Sequence, residues 1–232
     1  MTAPPLHLLS KSTFMRGCQC HKSLWLHKHQ PDLRDEMDAQ QASIFATGTN
    51  IGELARDLFP GGVDASPATP YEFQQSVADT AAYIAAGHEV IYEAAFQYEG
   101  VLCAIDILVK SRGAWYAYEV KSSTSVKQPF IQDAALQYHV ITKSGIALRD
   151  IYLVHVNNKY KRKGDLDING LFTRNSLKKE VLPLQPFITQ KISELKKICA
   201  LTTAPDVALG KHCNKPYRST FSSIAGRTWR RR

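Results

Sequence analysis

At 232 residues, 44% of them hydrophobic, the chain is long enough to bury a full core and too apolar to be disordered. Its formal net charge of +8 favours a polyanionic partner such as nucleic acid, and five cysteines, an odd number, do not suggest a disulfide framework. No apolar run approaches the roughly 20 residues that cross a bilayer, and residues 1–10 lack a basic-then-apolar pattern, so no membrane partner and a cytoplasmic location are expected.

Residues 12–29 mix aromatic, apolar and basic side chains, with a short helix expected near 22–29. Residues 41–58 read as a helix because Ile44, Phe45, Ile51, Leu54, Ala55 and Leu58 roughly follow helical spacing. Pro60, Gly61 and Gly62 end it. A second helix is expected over 72–86 and stops at Gly87. The pattern then changes to strands at 90–98, 101–110 and 114–121, rich in β-branched, apolar and aromatic residues and separated by turns. Pro129 suits the first turn of a helix that runs to about 143 and is capped by Gly145. A fourth strand, 151–157, and a helix, 186–200, complete the elements. The order αβββαβ predicts an α/β fold with a mixed central sheet flanked by helices. Residues 41–200 form the expected core. Residues 1–40 are a helical, cysteine-containing N-terminal segment, and 201–232 a tail that looks divergent or truncated.

Two carboxylates carry the chemistry. Asp106 interrupts an apolar strand, where an ionised group is costly unless a cation or donor compensates it. Glu119 lies in the next strand, and strand alternation puts Lys121 on its face while Val120 points into the core. Carboxylates on neighbouring strands suit a hard divalent cation, Mg²⁺ by preference, with Glu93 a third and the Val120 carbonyl nearby. Such an ion beside a lysine is the outline of a phosphodiester-hydrolysis site. Register tests this. Asp106 opposes Glu119 only if Lys110 pairs with Trp115, or if a bulge has the same effect. Two readings stay open: a buried Asp106–Lys121 salt bridge without chemistry, and a basic interaction protein with Asp106 and Glu119 on opposite faces.

Asp106, the triplet Glu119, Val120 and Lys121, and the helix bearing Gln137 resemble the PD-(D/E)XK nuclease superfamily, which has a restriction-endonuclease-like core. The similarity is closer to the RecB-nuclease-like branch, which includes CRISPR-associated exonucleases, and closer still to a bacterial family carried under a domain-of-unknown-function label. Residues 9–14, 52–62, 92–96, 119–124 and 133–138 carry it, within a span from about 8 to 217. The resemblance implies a metal-dependent deoxyribonuclease, often an exonuclease, in repair, recombination or defence. It assigns Asp106 and Glu119 to a Mg²⁺ or Mn²⁺ ion, Lys121 to catalysis, Glu93 to support, and Gln137 to the site or to DNA. Asp133 lies one helical turn before Gln137, and Tyr138 follows it in the same motif; a solvated helix face is the alternative for Asp133 and Gln137.

Two features depart from that pattern. Gly52 stands where the branch often has a metal-binding histidine, which leaves a catalytically weak nucleic-acid-binding module as the alternative function. Many relatives hold an iron–sulfur cluster, and Cys20 and Cys213 suit two of its positions, but no cysteine follows Cys213, so the ligand set is incomplete. His21, His27 and His29 near Cys18 and Cys20 match no standard zinc spacing and read as surface residues. Lys159, Tyr160, Lys161 and Arg162 form a basic turn suited to phosphates, with Tyr160 placed to stack on a base; a solvated turn is the alternative. Trp229 and residues 230–232 offer a further basic end.

Overall fold

The computed structural model describes residues 8–36, 39–69, 72–208, 210–213, 215–216 and 218–221, without the side chains of 39–42, 44 and 45. The side chains of Ile44 and Phe45, and Trp229 with residues 230–232, therefore lie outside what is described. The mixed segment 12–29 holds two helices rather than one, α1 (Lys11–Gln19) and α2 (His21–His29). The signal for α1 is a capping box. The Ser10 hydroxyl accepts from the Thr13 N–H, and the Thr13 hydroxyl accepts from the Ser10 N–H. The expected helix at 41–58 is α3 (Ala39–Ala55) followed by a 3-10 turn, Arg56–Leu58. Next come α4 (Phe73–Ala85), β3 (Val90–Tyr98), β4 (Val101–Ser111) and β5 (Ala114–Lys121).

These three strands form an antiparallel meander. Arg112 and Gly113 both take positive φ, the backbone that closes a tight two-residue hairpin. That turn sets Ser111 opposite Ala114 and Lys110 opposite Trp115, the register on which the site depends. Helix α5 (Gln128–Lys143) crosses over to β6 (Leu148–Val156), which returns parallel to β5. The αβββαβ order is thus present. Around it lie strands that the sequence did not announce: β1 (Leu9–Ser10) beside β4, β2 (Val63–Asp64) beside β3, and β7 (Phe172–Ser176) beside β6. They are too short to show a reliable period. The short helices α6 (Ile168–Leu171) and α7 (Lys178–Val181) precede α8 (Gln185–Cys199).

The result is a seven-stranded mixed sheet between helical layers. One core joins sheet residues such as Ile91, Ile105, Leu108 and Leu153 to Leu136 and Val140 of α5 and Leu195 of α8. Leu9, Phe14 and Leu24 of the N-terminal segment belong to it. A second, on the α3 side, gathers Tyr92, Ile107, Val109, Val120 and Val154 around Ala55.

The two cores expose an irregularity. Ile91 and Leu108 belong to the first core, and Tyr92 and Ile107 to the second. Strict alternation would return Ala94 and Ile105 to the second core, but both lie in the first. The slip falls between them in both strands, at Glu93 and Asp106. Glu93 has φ +52°, a left-handed backbone that a non-glycine residue adopts at a cost of about 1–3 kcal/mol.

Candidate active site

The ladders place three carboxylates side by side. Tyr92 pairs with Ile107 and Ala94 with Ile105, so Glu93 faces Asp106 across β3 and β4. Ile107 pairs with Tyr118, so Asp106 in turn faces Glu119 of β5. The head groups then separate into two environments.

Glu119 turns towards α1 and α5 and is 1% exposed. Its Oε1 accepts from Lys121 and, at 2.9 Å, from Lys11; its Oε2 accepts from Gln137 Nε2 at 2.8 Å. Lys121 also donates to Asp133 Oδ2 at 2.8 Å. Burial alone would raise the Glu119 pKa, but Lys11 and Lys121 outweigh it and hold Glu119 well below the usual carboxylate range. Burial likewise pulls Lys121 down, and Glu119 and Asp133 more than reverse this, leaving it above its ordinary value. Asp133 and Gln137 are buried, so the solvated helix face is not what α5 presents here. The Gln137 Oε1 is buried without a hydrogen-bond partner among the described residues.

Asp106 turns the other way. Its Oδ2 accepts from the Val120 N–H, and the half-buried carboxylate lines a cavity of about 360 Å³ with Glu93 and Val120. Gly48, Thr49, Gly52, Glu53 and Arg56 from α3 and its 3-10 turn form another wall, with Ser66. Burial raises the Asp106 pKa well above its ordinary value, and the neighbouring Glu119 charge adds to it, with Lys11 opposing. Burial also raises Glu93, against Arg56 and Lys11. The Arg56 guanidinium is 3.9 Å from Glu93, 2.6 Å from Asp64 and stacked over the Tyr92 ring.

In the cavity, Asp106 and Glu93 offer carboxylate oxygens, the kind of donor a hard cation takes, while the unpartnered Gln137 oxygen belongs to the amide that donates to Glu119. As placed, no set of three His, Cys, Asp or Glu among the described residues could hold an ion. Asp106 and Glu93 share the cavity, while both Glu119 oxygens are held by protein donors. A Mg²⁺-like ion keeps several waters and needs few protein ligands. A Cβ built on Gly52 meets nothing within 4 Å, so the position expected for a histidine is open space.

Other expected residues lie further out. Tyr138 packs against the main core. The basic turn follows β6, whose His155 is paired with Lys121, so it leaves the sheet at the end that carries the lysine. Lys159 and Lys161 are exposed there. Tyr160 instead braces its own loop: its hydroxyl accepts from the Asp167 N–H, and its ring approaches Gly170. Arg162 also folds back, donating to the Gly164 carbonyl. The segments of Cys20 and Cys213 meet, through a 2.7 Å bond from Gln19 to the His212 carbonyl. The three histidines are engaged rather than simply exposed: His21 pairs with Glu194, Arg34 bonds His27, and His29 stacks on Trp25 and bonds the Cys199 carbonyl. Sequence reasoning gave no role to Lys11 or Arg56. No local spacing could find Lys11, which is 108 residues from the carboxylate it contacts.

No family model matches this chain, and no curated protein does. Among solved structures, an alkaline exonuclease (LHK-Exo) from Laribacter hongkongensis aligns at 13% identity and TM-score 0.44, over 82% of this chain and 89% of that one. SSO0001 aligns at 10% identity and TM-score 0.45, over 93% of this chain and 84% of that one. Likeness this distant assigns neither substrate nor chemistry to the present chain. No helix among the described residues is long and apolar enough to cross a membrane.

Proposed function

We propose that this chain is a metal-dependent nuclease of the PD-(D/E)XK type, hydrolysing phosphodiester bonds in DNA, in an exonuclease-like role in repair, recombination or defence. One observation carries the reading: adjacent strands bring Asp106 to an open cavity and set Glu119, hydrogen-bonded to Lys121, next to it. Asp106 and Glu119, with Glu93 and the Val120 carbonyl, would hold Mg²⁺ or Mn²⁺. A bound ion there polarises a phosphoryl oxygen and makes a water more acidic. The Lys121 ammonium, fixed between Glu119 and Asp133, orients the attacking water or stabilises charge on the phosphate. Water attacks phosphorus, one P–O ester bond breaks, and the departing oxygen takes a proton. Gln137 holds the Glu119 carboxylate in place. Lys159, Lys161 and Arg162 contact the DNA backbone, consistent with the excess positive charge.

The test is cleavage of end-labelled single- and double-stranded DNA with Mg²⁺ or Mn²⁺ by wild type, Asp106→Asn and Lys121→Met. Equal product from all three would sink the nuclease reading. The second reading, a nucleic-acid-binding module with weak or no catalysis, draws on Gly52 and on the fully bonded Glu119. Metal-independent DNA binding without cleavage is its expected signature.

A further inference from the structure

Lys11 is the first residue of α1, yet nothing in the proposed reaction uses it. Pairing of Leu9 and Ser10 with Val101 and Leu102 of β4 fixes where the helix starts. Its ammonium then lies 2.9 Å from Glu119 Oε1 and 3.8 Å from Asp133 Oδ2. Lys121 contacts the same two carboxylates, at 2.8 Å from Asp133. Two ammonium groups thus neutralise Glu119 and Asp133, while of the cavity carboxylates next door Glu93 has the Arg56 guanidinium at 3.9 Å and Asp106 accepts from a backbone N–H. A divalent ion reaching Glu119 from the Asp106 side would meet a carboxylate already carrying a cation. Lys11 is the more weakly tethered of the two lysines, and its side chain is 28% exposed, so it has a route to solvent.

We infer that Lys11 is a resident counter-ion of Glu119 which a divalent cation must displace, so that the N-terminal helix sets the metal affinity of the site. This rests on the metal-dependent reading above.

Mn²⁺ binding to the full chain, followed by electron paramagnetic resonance, tests this with wild type, Lys11→Met and Lys11→Arg. Lys11→Met is expected to bind Mn²⁺ about tenfold more tightly than wild type, while Lys11→Arg stays within about threefold of it. Equal or weaker binding by Lys11→Met overturns the inference and leaves the metal reading standing. No binding by either the wild type or a folded Lys11→Met removes both. Should Lys11→Met not fold, acetylation footprinting of the wild type is the second measurement. Mn²⁺ should raise labelling of Lys11 relative to the exposed Lys197. Unchanged Lys11 labelling at saturating Mn²⁺ overturns the inference.

Discussion

Glu119 and Asp106 sit on neighbouring strands, yet one is surrounded by donors and the other by acceptors. Glu119 has two ammonium groups and an amide on its two oxygens. Asp106 has one backbone N–H, an open cavity, and the unfavourable charges of Glu119 and Glu93. The first arrangement satisfies its buried carboxylate with protein donors. The second leaves the site short of positive charge, and the left-handed Glu93 beside it adds strain. Stability and unsatisfied charge are thus separated across a single strand pair.

That contrast can be broken from either side. The largest expected effect is on turnover: Asp106→Asn or Lys121→Met should lower Mg²⁺-dependent DNA cleavage by about 100-fold or more. Next is stability on the donor-rich side. Glu119→Ala leaves two ammonium groups facing Asp133 alone, and urea denaturation should register a loss of about 3 kcal/mol. An unchanged midpoint and slope would show that Glu119 does not hold this side together.

A smaller effect is expected from adding a donor on the poor side. Gly52→His projects into open cavity space and should tighten Mn²⁺ binding roughly tenfold in a titration. The smallest effect concerns pH. The raised folded pKa of Asp106 means that its stabilising contribution is whole below its ordinary value of 3.8 and is lost as pH rises through the folded value. Asp106→Asn cannot ionise and keeps an acceptor for the Val120 N–H. Without metal it should exceed wild-type stability, in a gap that widens as pH rises from the ordinary value of 3.8 towards the raised folded value. A constant gap in thermal melts across that range would contradict the strained-carboxylate picture.

Local chemistry made much of this legible in the sequence. The strands at Val90–Tyr98 and Ala114–Lys121 match their expected bounds, because turn residues with positive φ punctuate them. The Lys110–Trp115 register could be required in advance because a slip of one residue reverses the face of every side chain. α1 escaped because its capping box was hidden in a mixed aromatic and basic run. Tyr160 looked like a base-stacking residue because the sequence does not show that its own loop folds around it.

The amino-acid order by itself determined the αβββαβ succession and the placing of Asp106, Glu119 and Lys121 on neighbouring strands, since each depends on dihedral preferences and periodicities a few residues long, while the choice between a shifted hairpin and a bulge fell to the strand pairing. Only tertiary structure brought Lys11 across 108 residues to Glu119, set Arg56 beside Glu93, and turned Asp106 and Glu119 into different surroundings. Those outcomes depend on how helices dock on a twisted sheet, and on a one-residue slip in β3 and β4 that is satisfied only when both cores are packed.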